Sequence, residues 1–262
     1  MNDYMEVQHG LDCLINAFTS ENEGKRFKEM LNCIFPGIVD EVTKLFDSWI
    51  PAFRSDTFIV CVSEHLESDD RFGKLSMWRA YGGRNSVALV INSKSFFSEI
   101  DVFKAYTIPV EYIDSNEYGK QLDDLRMRMD AEKEYLLDIG KKAVLSYLFY
   151  KFKYIVICTK HPGFEEEREW RIVYTPKDKK SEYIKGVIET INNVPQEVHK
   201  LPLKDIPEKG YTGVTIPELI DRIIIGPNDQ QLVIGDAFKK LLISCNCKEV
   251  EKKICYSGIP LR

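Results

Sequence analysis

The chain has 262 residues, 44% of them hydrophobic and 29% charged, which suits a packed globular protein and excludes a disordered, collagen-like or disulfide-scaffold chain. Thirty-six Lys and Arg against 41 Asp and Glu leave a net charge of −5, so no global positive field recruits nucleic acid or an anionic membrane. The length accommodates one large domain, and residues 1–262 are read as a single α+β domain, with a helical block over 1–52 and a sheet-containing core over 57–262.

Apolar residues from Val7 to Phe35 recur at helical spacing, with Leu11, Leu14, Ile15 and Phe18 on one stripe and Phe27, Met30, Leu31 and Ile34 on another. The spacing predicts two helices meeting between Ser20 and Gly24, then a third that runs to Pro51. Asp3 and Glu6 fit a capping box at the start. Thr57 to Val62 and Ser86 to Ile91 read as strands, and Phe103 to Tyr112 as a half-buried strand pushed to a sheet edge by Pro109. A long central helix follows over about 117–153, with Gly140 as a point of kinking or division. Strands are then predicted at Tyr154–Thr159, Glu169–Thr175, Tyr183–Thr190, Val198–Leu203 and Arg222–Ile225, a helix at Gln230–Ile243 and a last strand at Val250–Tyr256. Strands that crossovers cannot all join favour α+β with a mixed or antiparallel sheet over a doubly wound parallel one, with two small facing sheets as the variant.

Seven cysteines, an odd number thinly spread, suit a reducing compartment. Cys245, Cys247 and Cys255 lack the paired spacing of a zinc site, so no metal is expected. With no signal-like start and no stretch near ~18 uninterrupted apolar residues, the expected location is cytoplasmic, with no membrane partner. Walker, nucleophile-elbow, zincin and dinucleotide-fingerprint motifs are missing from the sequence.

Two clusters carry candidate chemistry. In Phe164-Glu165-Glu166-Glu167-Arg168-Glu169-Trp170-Arg171, a strand starting near Glu167 places Glu167, Glu169 and Arg171 on one face. A Glu held ionised by a neighbouring Arg suits the stabilisation of a developing cation; an edge strand guarded by alternating charge is the alternative. The second cluster runs from Ser63, Glu64 and His65 at a strand's end to Trp78, Arg79, Tyr81, Gly82 and Gly83. Trp78 and Tyr81, three apart, share a helical face and could bracket a planar ligand; alternatively Trp78 fills core and the glycines make a turn.

Taken in order, Asn2-Asp3-Tyr4-Met5-Glu6, Cys61-Val62-Ser63-Glu64, Met77-Trp78-Arg79-Ala80-Tyr81-Gly82, Phe164 through Arg171, Ile223-Ile224-Ile225-Gly226-Pro227 and Ser257-Gly258-Ile259-Pro260 resemble a bacterial family of unknown function, domain-of-unknown-function 2971. The layout is more loosely similar to ADP-ribosyltransferase-like folds, in which Cys61-Val62-Ser63 stands at an S-x-S position and Glu167-Arg168-Glu169 at E-x-E. That likeness implies NAD as substrate, with no further cofactor, and a macromolecular acceptor, in toxin or phage-defence biology. It assigns catalysis to Glu169, Ser63 and Tyr81, and ligand binding to Trp78, Arg79, Glu167, Arg171 and His65. The Arg that anchors NAD on the first strand of such folds has no counterpart here. The alternative is a non-enzymatic module that binds a nucleotide, nucleic acid or protein through the same residues.

Overall fold

The computed structural model describes residues 4–83, 85–94, 101–191 and 193–260; the Asp3 cap lies outside them. In chain order the elements are α1 (Tyr4–Thr19), α2 (Glu23–Ile34), α3 (Ile38–Asp56), β1 (Phe58–Ser63), α4 (Leu75–Tyr81), β2 (Val87–Ile91), β3 (Ala105–Pro109) and β4 (Glu111–Tyr112). Then come α5 (Ser115–Ala131), α6 (Lys133–Ile139), α7 (Lys141–Cys158), β5 (Thr159–Lys160), β6 (Glu169–Tyr174), β7 (Lys185–Ile191) and β8 (Val194–Lys200). The chain ends with α8 (Ile216–Leu219), β9 (Ile220–Ile225), α9 (Gln231–Ser244), α10 (Val250–Lys253) and β10 (Ile254–Tyr256). Helices and small mixed and antiparallel sheets make this an α+β protein. Two compact units are distinguished, one of residues 1–62 and 108–177, the other of 63–107 and 178–262.

The first unit is a helical core against a small sheet. Val7, Cys13, Leu14 and Ala17 of α1 are buried with Phe27 and Leu31 of α2 and with Leu148, Phe152 and Val156 of α7. Ile15, by contrast, points outward. Gly10 lets α1 touch α7 backbone to backbone, since a Cβ there would stand 2.3 Å from the Val156 carbonyl oxygen. At the α1–α2 corner the Gly24 N–H donates to Ser20 Oγ at 2.9 Å. The third helix does not stop at Pro51 but continues to Asp56. Buried Phe53 stacks edge-on against Trp49 at 5.0 Å, and Trp49 in turn meets Phe149 of α7, so packing holds the turn that the missing N–H weakens.

The stretch read as one long helix is three: α5 closes at Glu132, and Gly140, at a positive φ of 83° with extended ψ, divides α6 from α7. The strand expected over Tyr154–Thr159 is absent: its first five residues belong to α7. The run is helical to Cys158, because a short β-branched apolar segment looks alike as buried helix or strand, and packing against α1 decides for helix. Likewise, Val250–Lys253 is a helical turn before the short strand β10. A three-stranded sheet has the order β1–β6–β3, so β6 is its centre and the Pro109 strand its edge. The guarded-edge reading of the Glu167–Arg171 segment is therefore set aside.

In the second unit β9 pairs parallel with β10 and antiparallel with β2. Ile220, Ile223, Ile225, Leu242 and Ile254 are buried on this sheet and α9. Strands β7 and β8 form a separate antiparallel ribbon. No helix among the described residues is long and apolar enough to cross a membrane.

Candidate functional site

Glu169 opens the central strand β6 and is only 5% exposed. Its backbone is tied on both sides: its N–H donates to Tyr112 Oη at 2.7 Å, and its carbonyl accepts from Val110 N–H at 2.9 Å. Arg171, two residues on and therefore on the same face, is fully buried and donates Nε to Glu169 Oε1 at 2.7 Å. Its Nη1 reaches the Ile157 carbonyl at the end of α7. Lys160 of β5 completes the cluster, with Nζ 3.2 Å from Glu169 Oε2 and 2.7 Å from Glu167 Oε2.

Glu167 is not on the strand. It ends a 3₁₀ turn, Pro162–Glu167, and Arg168 takes a left-handed conformation (φ 45°) before β6 begins. This kink, rather than strand alternation, brings both carboxylates of the Glu-x-Glu triplet onto one ammonium. Two buried cations and two carboxylates cancel, which is the condition for burying any of them. Burial alone would raise the Glu169 pKa; the hydrogen bond and charge of Arg171, a hydrogen bond from the Cys61 thiol and the charge of Lys160 outweigh it and hold the group below the ordinary Glu value. The site thus contains an ionised, oriented carboxylate in a poorly solvated setting. The neighbouring Cys158 thiol is pushed up to about 12, chiefly by burial.

Cys61 of β1, an exposed residue, donates its thiol hydrogen bond to the buried carboxylate. Lys160, Tyr112 and the Cys61 contact escaped sequence reasoning. The available signal was a lysine closing an otherwise apolar run nine residues before Glu169, and its meaning depended on reading that run as helix.

The second motif cluster is built differently. Trp78 lies half-buried on α4, and its indole N–H donates to the Phe72 carbonyl at 2.8 Å. The same carbonyl accepts from Ser257 Oγ at 2.8 Å. A Cβ on Gly73 would stand 2.7 Å from the indole, and one on Gly226 would meet it at 3.0 Å and Ser86 Oγ at 2.4 Å. Gly226 N–H donates to the Ser86 carbonyl, and Ser257 N–H to the Ile225 carbonyl. The Trp78, Ile223–Pro227 and Ser257 motifs therefore meet in one knot, in which the glycines make room for an aromatic ring. One turn on, Tyr81 is 62% exposed, and Arg79 is exposed beside it in sequence.

His65 Nε2 lies 2.7 Å from Asp70 Oδ1, and Arg222 Nη1 lies 2.9 Å from Asp70 Oδ2. Hydrogen bonding from His65, then the Arg222 charge, holds the Asp70 carboxyl below its ordinary value. Ser63 closes β1. Glu167, Glu169 and Arg171 are thus brought together in the first unit, whereas Ser63, His65, Trp78, Arg79 and Tyr81 belong to the second.

Among the described residues no group of three His, Cys, Asp or Glu is placed to hold a metal ion. No curated protein and no solved structure gives a significant match to the chain. Residues 77–172, from the Trp78 turn to the Glu169 strand, match the model of a family described as protein of unknown function (DUF2971), the family that the motifs resemble.

Proposed function

We propose that the protein consumes NAD by ADP-ribosyl transfer or hydrolysis, with Glu169 as the catalytic carboxylate. In that reaction the bond between nicotinamide and the ribose anomeric carbon breaks and nicotinamide leaves with the electron pair. The positive charge left on the ribose is then captured by an acceptor nucleophile or by water. A carboxylate fixed in charge and direction before the reaction stabilises such a cation without reorganising. The observation that carries the reading is the cluster itself: Arg171 and Lys160 keep Glu169 ionised although it is buried. Glu167 sits on the same ammonium, more exposed than Glu169, and is assigned to substrate contact.

A second reading has its own observation. Both oxygens of Glu169 are already matched by cations, as in a purely structural ion-pair network, and on that footing the protein is a binding module. Incubating the full chain with NAD and measuring free nicotinamide tests the first reading. Release that scales with protein concentration is expected; no release, with or without added cell extract as a source of acceptor, rejects it in favour of the module.

A further inference from the structure

Among the described residues the β7–β8 ribbon pairs with no third strand, and it has seven cross-strand pairs from Lys185–Lys200 to Ile191–Val194. A lone two-stranded ribbon is marginal in water, and each of its outer edges carries backbone donors and acceptors that a further strand would pair. The two edges are not equivalent. A two-residue hairpin closes on a hydrogen-bonded pair, and with Ile191 paired to Val194 that alternation turns residues 186, 188 and 190 outward on β7 and 195, 197 and 199 outward on β8. On β8 the first outward position is Pro195, which has no N–H, and the middle one is Glu197. Proline and charge at those positions blunt that edge. On β7 the outward positions are Gly186, Ile188 and Thr190, uncharged and without proline, and Ile188 is 71% exposed.

We infer that the β7 edge is a self-association surface, on which a second copy of this chain pairs its own β7 antiparallel across a two-fold axis. Charge selects the register. With Val187 opposite Val187 of the other copy, Gly186 faces Ile188 in hydrogen-bonded pairs. Lys185 then faces Glu189 twice, in the non-hydrogen-bonded pairs whose side chains approach most closely. Sliding by two residues to centre on Ile188 keeps the backbone pairing but sets Lys185 against Ile191 and Val187 against Glu189, and the charge match is lost. Within one chain Lys185 stands opposite Lys200, a like-charge pair, while Lys200 bonds Glu189. A second copy gives Lys185 the opposite charge that its own hairpin does not place across from it. The two-fold arrangement is self-complementary and closes, so a dimer rather than a filament forms.

The test is sedimentation velocity of the full chain from 1 to 500 µM total protein, a concentration range chosen on the order of a weak interface. One strand pair buries less than the ~1,200 Å² of a standard interface, so a dissociation constant of about 10–100 µM is expected. Lys185→Glu should weaken the dimer by about tenfold or more, because it sets Glu against Glu at two pairs, with the melting midpoint showing that the monomer stays folded. The double variant Lys185→Glu with Glu189→Lys should restore dimerisation to within roughly threefold. A monomer throughout the range overturns the proposal, as does a dimer indifferent to Lys185→Glu, or one lost in both variants alike.

Discussion

The Trp78 knot and the Glu169 cluster both gather motif residues from distant parts of the chain, but in different materials. Around Trp78 the contacts are neutral: one carbonyl accepts two hydrogen bonds, and two glycines lie against an indole. Around Glu169 they are four charges balanced against each other, three of them, Lys160, Glu169 and Arg171, buried. Neutral packing of the first kind accounts for its residues without a ligand. Buried ions of the second kind are a costly way to hold a fold, since apolar replacements of similar volume often do as well or better. That contrast is why Glu169, and not Trp78, is taken as the centre of the chemistry.

The largest expected effect comes from removing one ion. Arg171→Met leaves the buried Glu169 to Lys160 and the Cys61 thiol, and should lower stability by about 3–5 kcal/mol, read from urea unfolding. A loss below about 1 kcal/mol would mean that the cluster is solvated and the contrast overstated. Next is the knot. Gly226→Ala forces a methyl against Ser86 and the indole and should lower stability by about 1–3 kcal/mol while leaving any NAD turnover per folded molecule unchanged. A variant that keeps its melting midpoint but loses turnover would move the chemistry to the Trp78 side.

Acid separates the two regions again. Because the folded Glu169 carboxyl is held below its ordinary value, its stabilising contribution is present above about pH 4.3, the unfolded value, and is lost as the pH falls through the lower folded one. The urea midpoint of the wild type should fall on acidification through that window, and part of the fall should be missing in Glu169→Gln. The neutral knot adds no such component. The smallest effect is at the surface. Cys61→Ser keeps a donor for Glu169 and should change stability by less than about 1 kcal/mol, measured by thermal melting.

Much of this was legible in the chain. Helix-spaced apolar residues located α1 and α2 and the Ser20–Gly24 corner, and the pairing of Glu169 with Arg171 follows from their separation by two on a strand. Gly140 marked the division before α7. Pro51 misled because propensity is local, whereas the aromatic contacts of Trp49 and Phe53 are not. Tyr154–Cys158 misled because β-branched residues suit a buried helix as well as a strand. Lys160 stayed hidden behind that error, and nothing local in the Glu-x-Glu triplet shows that a left-handed Arg168, rather than strand alternation, turns Glu167 toward the same ammonium.

The most direct test of the central role given to Glu169 compares Glu169→Gln with the wild type in one preparation, recording nicotinamide release from NAD and the melting midpoint together. The substitution keeps the volume and removes the charge that would face a developing ribosyl cation. The account predicts a fall in turnover of about 10²-fold or more, well beyond any loss of folded protein. A variant that melts earlier yet turns over NAD at the wild-type rate would contradict it, and would leave Glu169 as the anion that neutralises Arg171 and Lys160.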